Sequence, residues 1–120
     1  MKVAFTTSGK TLDAPMDIRF GRAPGFIVYD TDNDTFEVVD NQQSVNTPQG
    51  AGIQATENIV RYGVNCIVTG HCGPNAFRAL SAAGIRIYTT NGGTVADALE
   101  AFRAGALASM NSADVEGHWV

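Results

Sequence analysis

From residue 51 onward the chain alternates helix and strand patterns, and this alternation constrains the fold more than any other feature. "AGIQATENIVRYG" places Ala55, Ile59 and Tyr62 on one helical face and ends at Gly63, the pattern of an amphipathic helix with a C-terminal glycine. "NCIVTG" is a continuous apolar run, expected of a strand covered on both faces. "PNAFRALSAAG" reads as a second helix, with Ala76, Phe77, Leu80 and Ala83 inward and Gly84 as its stop. "IRIYTT" is another strand. "TVADALEAFRAG" is a third helix, with Thr94 as N-cap, Asp97 three residues on, and Val95, Leu99 and Phe102 inward. Strands separated by helices in this way pair in parallel through right-handed crossovers.

The first part has a different grammar. "KVAFTTS" is a strand, and "GFIVYD" and "TFEVVD" flank the turn "TDND" as a hairpin. "NQQSVNTPQG" is a polar loop. The order βββαβαβα predicts an α/β domain over residues 1–107, with a five-stranded mixed sheet in the order 3-2-1-4-5 and helices on both faces. This is the ribonuclease H-like arrangement. Residues 108–120 have weak periodicity and read as a C-terminal tail.

A chain of 120 residues with 44% hydrophobic content can bury about two thirds of its unfolded surface and hold a core without disulfides. Net charge is -4, and the eight Lys and Arg are scattered, which argues against a grip on nucleic acid or anionic lipid. The apolar run at the N-terminus is too short for a signal peptide, and no stretch approaches the roughly 18 apolar residues of a membrane span. Cys66 and Cys72 are too few for a disulfide scaffold, so a reducing cytoplasm is expected.

The predicted sheet order brings the C-terminal ends of strands 1, 4 and 5 together. Three loops, residues 8–24, 70–73 and 90–93, then meet on one edge, where ligands of open α/β sheets collect. In "TGHCGPNAF", Pro74 suits the first helical position, and the amides of Asn75 and the following residue point toward an anion. Cys72 sits just before that helix, where a thiolate is stabilised, with His71 beside it. "NGGTVAD" offers a second helix N-terminus at Asn91, Gly92 and Gly93, and "DIRFGRAPGF" contributes Arg19 and Arg22. Gly70 and Gly73 flank the His-Cys pair. Together these residues predict a small basic cradle with Cys72 or His71 as a soft metal contact.

Two anions suit such a cradle. A metal–sulfur cluster accepts N–H and guanidinium hydrogen bonds, and its soft metals accept thiolate or imidazole. Phosphate is the other, because His71-Cys72 followed by Arg78 has the H-C-x5-R spacing of cysteine phosphatases. Pro74 lacks the amide that a phosphate-wrapping loop needs, Asn75 and Phe77 continue a helical pattern, and Ala79 stands where Ser or Thr is usual. A nuclease is disfavoured, because "KVAFTTS" and "NCIVTG" carry no carboxylates for paired metals. Plainer roles stand beside the sharper ones. Cys66, Phe20 and Phe26 read as core, and His118 as an exposed tail residue. Asp30, Asp32 and Asp34 read as a solvated turn, because no calcium-loop continuation follows. Arg19 and Arg22 can pair with Asp13 and Asp17 to pin the long loop, bind the anion, or do both.

"KVAFTTSG", "DIRFGRAPGFIVYD", "TGHCGPNAFRAL" and "IRIYTTNGGTVADALEAF" together resemble the nitrogenase iron–molybdenum cofactor biosynthesis family, including its small stand-alone members, over Lys2 to Leu107. The resemblance implies a ribonuclease H-like fold and non-catalytic binding, carriage or storage of a molybdenum- or iron-containing sulfide cluster, molybdenum–copper clusters included. It also implies cluster donor or acceptor proteins as partners. By position it makes the turn at His71 and Cys72 and the loop at Arg19 and Arg22 the cluster site. A cysteine-dependent phosphatase and a protein-interaction module are the competing readings.

Overall fold

The structure is a computed structural model that describes residues 1–41 and 50–110. The element order is β1 (Lys2–Thr7), β2 (Gly25–Asp30), β3 (Thr35–Asp40), α1 (Ala51–Val60), β4 (Cys66–Thr69), α2 (Pro74–Ala82), β5 (Arg86–Thr89), α3 (Val95–Arg103) and β6 (Ala108–Ser109). One mixed sheet runs β3-β2-β1-β4-β5-β6. β1 pairs parallel with β4, and β4 with β5, while β1–β2 and β2–β3 are antiparallel. The polar loop read between β3 and α1 falls mostly outside the described residues, as does His118.

The sheet has six strands where five were expected. Ala108 and Ser109, read as the start of a tail, pair antiparallel with Thr89 and Tyr88, and the Met110 amide continues the ladder to the Ile87 carbonyl at 2.8 Å. Two residues are too few to carry a periodic signal. The reversal that delivers them is a Schellman motif at Gly105, which has φ 70. The Gly105 amide donates to Phe102 O, and the Ala106 amide to Ala101 O. The same motif closes α2, where Gly84, at φ 75, donates to Ser81 O and Ile85 to Leu80 O.

Strand alternation sorts the core onto two faces. Ala4, Phe26, Val28, Ile67 and Ile87 pack with Ala55 and Ile59 of α1 and Ala76 and Leu80 of α2. Val3, Phe5, Ile27, Cys66 and Val68 pack with Val95, Ala98 and Leu99 of α3. Helices therefore cover both faces, which explains why β1 is buried from Val3 to Thr7 and β4 along its whole length. Burying a side chain such as Leu80 contributes about 1.5–3 kcal/mol. Cys66, Phe20 and Phe26 are core residues, and the two phenylalanine rings lie 5.8 Å apart.

The β2–β3 turn holds its acids in local bonds. Asp30 accepts from the Asp32 amide and the Asn33 side chain, and Asp34 accepts from Tyr29 Oη and Arg103. Among the described residues no helix is long and apolar enough to cross a membrane.

Candidate functional site

The parallel arrangement of β1, β4 and β5 puts their C-terminal ends side by side, and the loop over residues 8–24 is tied to both neighbouring turns. The Thr7 hydroxyl donates to Pro15 O at 2.7 Å, and the Asp17 amide to Thr6 O at 2.9 Å. Thr6, fully buried, donates its hydroxyl proton to Asp17 O and accepts from Thr69 Oγ1 at 3.0 Å. On one side the Met16 amide reaches Gly93 O at 2.8 Å. On the other, His71 N donates to Ile18 O at 2.6 Å and Phe20 N donates to His71 O at 3.2 Å. The three loops meet on one edge.

The glycines on this edge do different things. A Cβ on Gly70 would lie 2.4 Å from Ile18 Cβ and 2.8 Å from Ile18 O, so Gly70 is what lets the long loop lie against β4. A Cβ on Gly73 would meet nothing within 4 Å. Gly73 is the N-cap of α2 and makes no side-chain cap bond, and Pro74 follows it.

His71 and Cys72 diverge. His71 is exposed, with its backbone paired to the arginine loop. Cys72 is 1% exposed and packs in the core beside Phe20, Ala76 and Leu80. Alternation along an extended segment sends adjacent side chains to opposite sides, and here the cysteine takes the inner one. Both cysteines carry free thiols rather than disulfides. Burial pushes the Cys66 thiol pKa up.

Arg19 and Arg22 are both exposed. The Arg19 guanidinium binds Asp17, with Nε and Nη2 each 3.3 Å from a carboxylate oxygen, and the Arg19 amide donates to the same carboxylate at 3.0 Å. That hydrogen bond raises the already high pKa of Arg19. Loop pinning by Asp17 is therefore present for Arg19. Arg22 lies between Gly21, which packs against Ala51 and Gly52 of α1, and the buried Ala23.

The amino terminus of α3 does not match the anion-binding role expected of it. Its first-turn amides already have acceptors. Val95 N donates to Ala14 O at 2.9 Å, Ala96 N to Leu12 O at 2.8 Å, and Asp97 N to Thr94 Oγ1 at 3.1 Å. Asp97 returns its carboxylate to Thr94 N, completing the capping box and placing negative charge at the helix start. Asn91, Gly92 and Gly93 thus form the turn beside the edge, with Gly93 O committed to Met16.

The H-C-x5-R spacing does not build a phosphate loop. α2 begins at Pro74, Arg78 donates to Asn75 Oδ1 at 2.8 Å on the exposed helix surface, and Cys72 is buried. A nucleophile and its phosphate-holding arginine would have to share one concave site. Here they do not.

Three cavities lie apart from the His71 turn. One of about 440 Å³ is flanked by Phe77, Ile87 and Met110. One of about 520 Å³ is flanked by Cys66, Arg86 and Phe102. One of about 310 Å³ is flanked by Lys10, Pro24 and Asp40. Among the described residues no group of three or more His, Cys, Asp or Glu could hold a metal ion.

The sequence model of the family described as dinitrogenase iron-molybdenum cofactor matches residues 1–105. The chain belongs to this family. Among solved structures, the apo form of the orange protein from Desulfovibrio gigas is 37% identical, with a TM-score of 0.92 over 95% of this chain and 96% of that one. A NifB-like DUF35-family protein from Thermotoga is also 37% identical, with a TM-score of 0.86 over 97% and 98% of the two chains. A dinitrogenase-type protein from Methanocaldococcus jannaschii, at 23% identity and a TM-score of 0.70 over 93% and 96%, shares the fold. No curated protein matches the chain significantly. Membership in the iron–molybdenum cofactor family accords with a small protein related to metal clusters and not with a phosphatase.

Sequence reasoning missed the groups that hold the edge together. Asn41 is fully buried and bonds to Ala23 O and to Asn58 across the fold. Thr6 and Thr69 meet between strands far apart in sequence. The available signal was a polar residue at the end of each apolar strand, which reads equally well as a strand terminus.

Proposed function

We propose that this protein binds and carries, or stores, a molybdenum- or iron-containing metal–sulfur cluster as non-catalytic cargo, with molybdenum–copper clusters within its range. Family membership supports the cargo class. One geometric observation carries the site: the uncapped, sterically open amino-terminal turn of α2 at Gly73 lies directly beside exposed His71. The amides of Asn75 and Ala76 and the helix dipole favour an anion there. Arg22 adds positive charge from the adjoining loop, as does Arg19, whose guanidinium also pairs with Asp17. His71 supplies the soft contact. Cys72 serves from the core as packing, and Asn91, Gly92 and Gly93 form the neighbouring wall.

The want of a chelating trio among the described residues supports capture of a preassembled anionic cluster rather than a bare ion. Such a cluster is held by hydrogen bonds and charge, which suits reversible transfer to and from donor or acceptor proteins. The β3-β2-β1-β4-β5 order supports a ribonuclease H-like reading of the fold, and the two thiols suit a reducing cytoplasm.

Anaerobic addition of tetrathiomolybdate with copper(I), or of an iron–sulfur source, tests the proposal. Stoichiometric visible absorption that Arg22→Ala and His71→Ala both weaken is the expected result. A colourless protein after every such addition refutes it.

A further inference from the structure

The arginine loop ends against a chain of side-chain amides, buried at Asn41 and Asn58. Gln54 Nε2 donates to Asn58 Oδ1 at 3.2 Å, Asn58 Nδ2 donates to Asn41 Oδ1 at 2.6 Å, and Asn41 Nδ2 donates to Ala23 O at 2.8 Å. The Asn41 amide also donates to Pro24 O at 2.9 Å. Asn41 is 0% and Asn58 8% exposed. A polar chain at this depth is costly unless every member is satisfied, and each link fixes the orientation of the next. It ends on the carbonyl of the residue that follows Arg22. Just before Arg22, Gly21 is pressed on α1, where a Cβ would lie 2.9 Å from Gly52 N. α1 thus holds the backbone on both sides of Arg22.

We propose that Asn41 and Asn58 form a positioning clamp that sets Arg22 relative to the α2 amino terminus and so governs affinity for an anionic cluster. This deepens the binding reading above and rests on it. Each of the three links joins an N–H to an oxygen, so the direction of the amides matters. An aspartate at position 58 has nearly the same shape but no N–H to give Asn41 Oδ1. The Asn41 amide then turns over to donate to the new carboxylate, and its oxygen faces the Ala23 carbonyl. The loop tie is lost with little change in volume.

The test is a cycle of wild type, Arg22→Ala, Asn58→Asp and the double variant, titrated anaerobically with tetrathiomolybdate and copper(I). Each single change should weaken uptake by roughly tenfold, and the double variant should be no weaker than either single one, because the clamp acts through Arg22. Losses that multiply to roughly a hundredfold, or an Asn58→Asp protein that binds like wild type, would overturn the clamp. Failure of wild type to take up any chromophore would count against the binding reading instead. The clamp is then judged by backbone NMR order parameters of Gly21, Arg22 and Ala23 in the protein alone. Rigid values near about 0.85 in wild type and looser ones in Asn58→Asp support it, and equal values in both refute it.

Discussion

The amide nitrogen of His71 lies 2.6 Å from the carbonyl oxygen of Ile18, and the return bond runs from Phe20 N to His71 O. The arginine loop and the glycine turn are therefore one short parallel ladder rather than two loops that happen to be close. Any ligand that touches His71 sits within reach of the loop, and whatever loosens the loop also moves His71.

That ladder needs a glycine at position 70. Gly70→Ala should destabilise the protein by about 1–3 kcal/mol, since the new methyl would run into Ile18 backbone and side chain. Urea unfolding measures this, and an unchanged midpoint would show that the loop yields freely.

Thr94 caps α3 with its side chain and is matched by Asp97. Thr94→Ala should cost about 1 kcal/mol, read from the same denaturant curves. The Ala14 and Leu12 carbonyls still accept from Val95 and Ala96, so α3 should keep its helical circular dichroism.

Asp34 is held below the usual carboxylate range, first by the hydrogen bond from Arg103 and then by that from Tyr29. A carboxylate whose folded pKa is depressed stabilises the fold above its unfolded value of about 3.9 and loses that contribution as pH falls through the folded value. Arg103→Gln should therefore lower stability only slightly at neutral pH, because the pair is exposed, and the two profiles should converge as pH falls through the folded value. Urea midpoints from neutral pH downward give the comparison.

Cys72 is buried and packs in the core. Cys72→Ala should cost about 1 kcal/mol in stability yet leave cluster uptake intact, whereas His71→Ala should weaken uptake with little effect on stability. Loss of the chromophore in a folded Cys72→Ala protein would return the thiol to the site.

Both thiols should react slowly with a disulfide reagent in the native protein and rapidly once it is unfolded. Cys66 is further protected because burial raises its pKa and lowers its thiolate fraction. Rapid native labelling of Cys72 would mean that the turn opens readily.

The elements of this chain were legible because their signals are local. Helical spacing of Ala55 and Ile59, the apolar run at Cys66 to Thr69, and Thr94 with Asp97 each specify structure within a few residues. The strand order followed from chain connectivity, and it carried the convergence of the three loops. β6 was illegible because two residues hold no period. The candidate site was legible in its neighbourhood and less so in its members, since which of two adjacent residues faces the core is a matter of strand phase.

Sequence alone determined the helices, five of the strands, their order and the edge on which the loops meet, because periodicity, capping and crossover handedness act over short stretches of chain. Only tertiary structure decided that Cys72 turns inward and that the amides of α3 are taken by Ala14 and Leu12. It also decided that Arg22 is framed by α1 and the buried Asn41–Asn58 pair. Those outcomes depend on which distant polar group satisfies which, and a hydrogen-bond partner some 80 residues away leaves no mark in the local pattern.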